Sequence, residues 1–85
     1  MTTSIDPDVA YPGRTVYLKT IVDNGVEPDA LIQYSTPDTV AEAREWVKHD
    51  LNWFGVKQGF KTTCRISIDN LFEEISTYDP KEAQS

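Results

Sequence analysis

The sequence predicts a small α+β domain in which two strands, one helix and two further strands follow one another (β-β-α-β-β). Apolar and polar residues alternate over residues 15–22 and again over 60–68, the period of a strand with one buried face. Over residues 40–54, apolar residues instead recur every three or four positions, the period of an α-helix. The 85 residues, 39% of them hydrophobic, suffice for one modest core. We therefore expect a small antiparallel sheet with one helix packed on one face.

The first two strands are expected to form a hairpin. Residues 15–22 are rich in β-branched and aromatic side chains, and Asp23-Asn24-Gly25 then supplies residues that tolerate a tight turn. The chain is expected to return antiparallel over residues 30–34. Four residues of the hairpin are expected to face the helix: Val16, Leu18, Val22 and Ile32. Five others are expected on the outer face: Tyr17, Lys19, Ile21, Leu31 and Gln33. Three of these five are large and apolar, so the outer face predicts self-association, most simply as a homodimer.

The helix is expected to begin within Ser35-Thr36-Pro37-Asp38. This stretch offers a hydroxyl N-cap, a proline suited to the first turn and a carboxylate placed favourably against the helix dipole. The apolar stripe that should pack on the sheet consists of Val40, Ala43, Val47, Leu51 and Phe54. Gly55 is expected to end the helix, because glycine readily adopts the left-handed conformation that commonly follows one.

A third strand is expected over residues 60–68, with Cys64 on its inward face. Asp69-Asn70 then fits either a hairpin turn into a fourth strand over residues 71–78 or the cap of a short helix. The hairpin is the preferred interpretation.

The two ends of the chain are expected to lie outside the domain, which should span residues 14–78. Turn-forming residues over 1–13 predict an irregular N-terminal arm, and the polar residues 79–85 predict a frayed tail. The N-terminus lacks the basic and apolar regions of a signal peptide, and no stretch approaches the roughly 18 apolar residues of a membrane span. We therefore expect a protein of the cytoplasm of the producing or host cell.

The net charge of the chain indicates which classes of partner are favoured. Eight Lys and Arg residues against fourteen Asp and Glu residues give a net charge of −6. This surplus opposes contact with phosphate backbones, so direct nucleic-acid binding is disfavoured, although Lys57, Lys61 and Arg65 could form a local basic strip. The acidity suits either a basic partner or solubility alone.

Residues with catalytic potential are few. The single histidine, His49, lies opposite the buried stripe of the predicted helix, and Cys64 is expected to be a buried, unreactive thiol. With one cysteine, the chain can form no internal disulfide. The sequence contains no phosphate-binding loop, serine elbow or two-histidine metal spacing. We therefore predict a protein that is not an enzyme and has no cofactor and no metal site.

Trp46 and Trp53 are the most informative residues for function. They are seven residues apart, so they share one side of an α-helix, rotated roughly 130° from the buried stripe at about 100° per residue. This side either completes a wide buried arc beneath the N-terminal arm or forms an exposed aromatic ridge that binds a partner. The acidic residues expected around the ridge are Asp38, Glu42, Glu45 and Asp50. Together these six residues are the predicted partner-binding surface.

The strand that ends in Ser35-Thr36-Pro37-Asp38 and runs into Val40-Ala41-Glu42-Ala43-Arg44-Glu45-Trp46-Val47 resembles the strand-to-helix unit of short accessory proteins encoded by bacteriophages and prophages, notably those of actinobacterial hosts. The resemblance covers only this stretch and supplies no catalytic or binding residue. It implies an accessory factor that binds and alters a host protein, such as an inhibitor of a defence nuclease, and some of these are acidic nucleic-acid mimics. We therefore expect a non-enzymatic protein-binding module. The alternative is a self-associating structural protein.

Overall fold

The computed structural model describes residues 6–27 and 30–83. Its elements in chain order are α1 (Pro7–Ala10), β1 (Tyr17–Asp23), β2 (Leu31–Ser35), α2 (Val40–Asp50), a π-helical segment (Leu51–Lys57), β3 (Lys61–Ile68), β4 (Phe72–Tyr78) and α3 (Pro80–Ala83). The strands form one antiparallel sheet in the order β2-β1-β3-β4. The predicted α+β class is confirmed, and the last segment is a strand. Within the two described ranges, no helix has the length and apolar character needed to cross a membrane.

The helix α2 lies on one face of the sheet and connects β2 to β3. Both of these strands are antiparallel to β1, so they run parallel to each other with β1 between them. α2 packs over β1 and β3, and the π-helical segment packs over β3 and β4. The described residues thus form a helical side (α1, α2 and the π-helical segment) and, opposite it, an open sheet face.

The core lies between the two central strands and α2. Alternate residues of β1 and β3 are buried, as the sequence predicts. The apolar residues of the core cluster are Val16, Leu18, Val40, Ala43, Val47, Cys64, Ile66 and Ile68. Each large aliphatic side chain buried here contributes roughly 1.5–3 kcal/mol relative to an exposed one. These residues fix the helix against β1 and β3 and leave the outer strands less covered.

The second strand faces the opposite way from the prediction. Ile32 lies directly opposite Ile21 in the register of β1 and β2, so it shares the open sheet face and is 41% exposed. Leu31 and Gln33 therefore lie on the helix side of the sheet, and their predicted place on the outer face is wrong, as is the predicted burial of Ile32. The reason is that Ala30-Leu31-Ile32 is apolar throughout, so alternation alone does not fix the phase of this strand.

The N-terminal arm contains a helical turn that caps α2. The Asp8 carboxylate of α1 accepts hydrogen bonds from the backbone N–H groups of Val40 (2.7 Å) and Ala41 (3.3 Å). The Thr39 hydroxyl is the N-cap and accepts from the N–H of Glu42 at 3.0 Å. Two donors at the start of α2 are therefore satisfied from an arm expected to be irregular, and the helix begins just after the predicted stretch.

The prediction that Gly55 ends the helix is wrong. After Asp50 the chain continues as the π-helical segment to Lys57, and Gly55 is buried within it. A Cβ atom at Gly55 would lie 2.5 Å from Cδ1 of the Tyr78 ring, so glycine is required for close contact with β4. The helix closes instead at Gly59, which has a φ of 75° and donates its N–H to the Gly55 carbonyl at 2.8 Å.

The remaining turns use short polar side chains. In the hairpin between β3 and β4, Asp69 has a φ of 45°, a conformation that aspartate tolerates better than most residues. After β4, the Asp79 carboxylate accepts a hydrogen bond from the N–H of Lys81 at 3.0 Å and so caps α3. The described part of the predicted frayed tail is therefore a helical turn.

Candidate binding surfaces

The side chains with catalytic potential are placed as the sequence predicts. His49 is exposed on α2, whereas Cys64 is fully buried in the core. Burial raises the pKa of the Cys64 thiol, a contact with the Thr20 hydroxyl opposes this increase, and the nearby Asp50 carboxylate adds to it. Since the thiolate is the nucleophile, Cys64 is unsuited to that role. Among the described residues, no three His, Cys, Asp or Glu side chains are grouped so that they could hold a metal ion.

Asp50 points toward the sheet and not toward solvent. The hydroxyl of Thr20, which is 1% exposed, donates a hydrogen bond to Asp50 Oδ2 at 2.8 Å. The same hydroxyl lies 3.7 Å from the sulfur of Cys64. Asp50 is the last residue of α2, so this bond ties the junction between α2 and the π-helical segment to β1. Its carboxylate therefore belongs to the interior contacts of the helical side.

Two other carboxylates of the predicted acidic rim are also engaged. Glu45 forms a salt bridge with Lys48 on the same helix, with Oε2 and Nζ 3.1 Å apart. Glu42 Oε2 accepts a hydrogen bond from the N–H of Asp38 at 3.1 Å. Only Asp38, which is exposed, makes no such contact with its own carboxylate among the described residues. Asp50 is therefore turned inward, whereas the Glu45 side chain remains 69% exposed beside Lys48.

The two tryptophans are both partly exposed on the helical side. Trp46 is 37% exposed and Trp53 is 47% exposed, which excludes the fully buried arc. Their predicted common side assumed an α-helix throughout, but the wider i→i+5 turns of the π-helical segment lie between them. The seven-residue spacing therefore no longer places the indoles in line. Lys57 Nζ lies 5.7 Å from the centre of the Trp53 ring, so this cation covers part of one indole.

The basic strip expected from Lys57, Lys61 and Arg65 is divided between the two sides. Lys57 belongs to the helical side, whereas Lys61 and Arg65 lie on the open sheet face of β3. The strip is therefore not assembled as predicted.

The open sheet face carries a row of side chains that crosses all four strands. In the observed register, Tyr34 on β2 lies opposite Lys19 on β1, Lys19 lies opposite Arg65 on β3, and Arg65 lies opposite Ile75 on β4. Tyr34 is 74% exposed and Ile75 is 57% exposed. Two more large residues of this face, Tyr17 and Ile32, are exposed as well. Apolar and aromatic side chains thus surround a cationic centre.

The cationic centre contains two like charges placed directly opposite each other. Such cross-strand pairs are destabilising. Arg65 is compensated by Glu73, with Nε and Oε2 3.0 Å apart, and Lys19 Nζ lies 5.6 Å from the centre of the Tyr34 ring. A shallow depression of about 420 Å³ lies beside the pair and is lined in part by both cations and by Tyr17 and Tyr34. A carboxylate from a partner would relieve the repulsion at this place.

Sequence reasoning placed Tyr17, Lys19 and Ile21 on this face correctly and missed Ile32, Tyr34 and Ile75. Apolar residues occupy both phases of the second strand, Leu31 in one and Ile32 and Tyr34 in the other, so the local pattern does not show which side faces the helix. Ile32 and Tyr34 face outward in a structure whose α2 packs mainly over β1 and β3.

Comparison of the chain with protein-family models, curated proteins and solved structures gave no match.

Proposed function

We propose that this protein is a small, non-enzymatic binding module that recognises a partner protein through its open sheet face. The observation that carries the proposal is the row of side chains from Tyr34 to Ile75, which lies uncovered across the sheet with Lys19 and Arg65 at its centre. Tyrosine and arginine are enriched at the energetically important parts of protein interfaces.

The charges on this face favour a partner that presents a carboxylate. The strands place three cations on it, Lys19, Lys61 and Arg65, and two carboxylates, Asp23 and Glu73, although the whole chain has a net charge of −6. A nucleic acid fits less well, since its affinity depends on many cation–phosphate contacts and the strands place only three cations on this face, beside two carboxylates. An acidic group flanked by apolar side chains is the complementary surface.

The role of an accessory factor that alters a host protein, which the resemblance to bacteriophage proteins implies, is part of this proposal. Binding through the sheet face requires no catalytic group. Mimicry of a nucleic acid by the acidic rim receives less support, because Glu42, Glu45 and Asp50 are engaged within the chain. A second candidate surface, the helical side, is favoured by the partial exposure of Trp46 and Trp53.

Site-specific photo-crosslinking distinguishes the two surfaces. A photoreactive benzoyl-phenylalanine replaces either Ile75 on the sheet face or Val56 on the π-helical segment, which are both 57% exposed and therefore matched. In the producing cells, we expect a discrete adduct with another protein from position 75, absent when Lys19→Glu is added, and none from position 56. An adduct from position 56 alone assigns binding to the helical side. No adduct from either position contradicts the proposed function.

A further inference from the structure

The two edges of the sheet are protected very differently. β4 carries Glu73 and Glu74, and its Tyr78 packs against Gly55 of the π-helical segment. β2, with the sequence Leu-Ile-Gln-Tyr-Ser, contains no charged residue and no proline. Natural sheets commonly protect an edge with charges, prolines or a covering element, because unpaired backbone groups pair readily with another strand. By this criterion β2 is the unprotected edge.

The free side of β2 has no partner within the part of the chain that the structure describes. There, the backbone of β2 forms hydrogen bonds with β1 alone, and its residues are exposed or half-buried throughout. We propose that two copies of this chain associate by antiparallel pairing of β2 with β2, which joins their four-stranded sheets into one continuous sheet. This inference is independent of the proposed partner protein.

The pairing has a natural register. A two-fold axis through Gln33, the middle residue of the five, pairs all five residues of each strand. Ile32 of one copy then lies opposite Tyr34 of the other, and Leu31 lies opposite Ser35. A β-branched residue beside an aromatic one is a favourable cross-strand pair. No charged side chain lies in the new contact, whereas β4 would bring Glu73 and Glu74 of each copy into a contact of the same kind.

The strength of the dimer follows from its size and charge. Five residues bury less than the roughly 800 Å² per partner of a stable interface, so we expect a weak, reversible dimer. Two copies of net charge −6 repel each other over a distance, and salt screens that repulsion. Dimerisation should therefore strengthen with ionic strength, whereas binding of an acidic partner at Lys19 and Arg65 should weaken. Failure of one proposal is thus distinguishable from failure of the other.

Pairing at this edge would also enlarge the open sheet face without covering it. The Tyr34 side chains of two copies would lie on the same face, close to the axis, and each copy would keep its own row of residues. A partner with two equivalent sites would then bind the dimer more tightly than the monomer.

Sedimentation of the full chain from about 10 μM to about 1 mM, at about 50 and about 500 mM NaCl, tests the proposal. The variant Tyr34→Glu places a charge in the edge beside Lys19, and its matched control Ile75→Glu places the same charge in the other edge beside Arg65. We expect Tyr34→Glu to weaken dimerisation at least tenfold and Ile75→Glu to leave it unchanged. Circular dichroism confirms that both remain folded.

A second variant distinguishes association through the β2 edge from association through the open sheet face. Gln33 lies on the helix side of the sheet and at the proposed axis, so Gln33→Lys would place two like charges opposite each other in the dimer. We expect this variant to be monomeric. A monomeric wild-type chain at about 1 mM, or Gln33→Lys dimerising as well as the wild type, would overturn the proposal. Equal weakening by Tyr34→Glu and Ile75→Glu would assign association to the open face and overturn it as well.

Discussion

The helical side and the open sheet face differ in what their polar groups do. On the helical side, Asp8 caps α2, Asp50 accepts from Thr20, and Arg44 forms a bidentate pair with Glu74. That pair, and above all its hydrogen bond, raises the pKa of Arg44 and joins the helix to β4. On the sheet face, Lys19 and Arg65 oppose each other, and the large residues around them contact no covering element in the described chain. The polar groups of the helical side stabilise the fold, whereas those of the open sheet face are available to a partner.

Because the helical side makes the internal contacts, substitutions there should change stability most. Gly55→Ala should have the largest effect. The added methyl group would lie 2.5 Å from Cδ1 of Tyr78, so either the ring or the π-helical segment must move. Overpacking of this kind costs about 1–3 kcal/mol in the free energy of unfolding, measurable by urea denaturation.

The matched control for Gly55→Ala removes the neighbour that the methyl group would strike. In a Tyr78→Ala background, the additional cost of Gly55→Ala should be much smaller. A double-mutant cycle that shows simple additivity would mean that the close contact with Tyr78 is not the reason for glycine at this position.

Loss of a cap should be the next largest effect. Asp8→Ala leaves the N–H groups of Val40 and Ala41 without the carboxylate, so we expect about 0.5–2 kcal/mol of destabilisation. Asp38→Ala removes an equally short, exposed carboxylate near the same helix end and should change stability by no more than about 0.5 kcal/mol. Equal effects of the two substitutions in thermal or urea unfolding would indicate a general charge effect at the helix terminus and not a cap.

The parts of the molecule that were predictable from the sequence are those where one face is deeply buried. β1, α2 and β3 bury regular stripes, so their periods identify both the elements and their inward faces. Ile32 was misplaced because β2 is an edge strand with little burial on either face, so hydrophobicity gave no phase. The cap from Asp8 and the contact of Gly55 with Tyr78 join residues far apart in the chain, which local patterns do not report.

The candidate surface was predictable only in part, for the same reason. The exposure of a tryptophan depends on where a helix changes its period, and nothing in the local sequence marks the change after Asp50. Of the predicted acidic rim, Asp50 is turned toward Thr20, a contact between residues 30 positions apart that no local pattern reports. Tyr17 and Lys19 were placed correctly since they alternate with well-buried neighbours in β1.

Lys19→Glu has the smallest expected effect on stability, and it tests most directly whether the open sheet face serves binding. Lys19→Glu converts the like-charge pair with Arg65 into an opposite-charge pair, so it should stabilise the fold by about 0.2–1 kcal/mol while abolishing binding of an acidic partner. Lys19→Gln is the control, because it removes the repulsion without adding an attraction and should lie between wild type and Lys19→Glu in urea denaturation. Destabilisation by Lys19→Glu would mean that the lysine is held for the fold, through Tyr34, and not for a partner. Stabilisation would mean that this lysine is retained at a cost to the fold, which is the behaviour expected of a residue that serves binding.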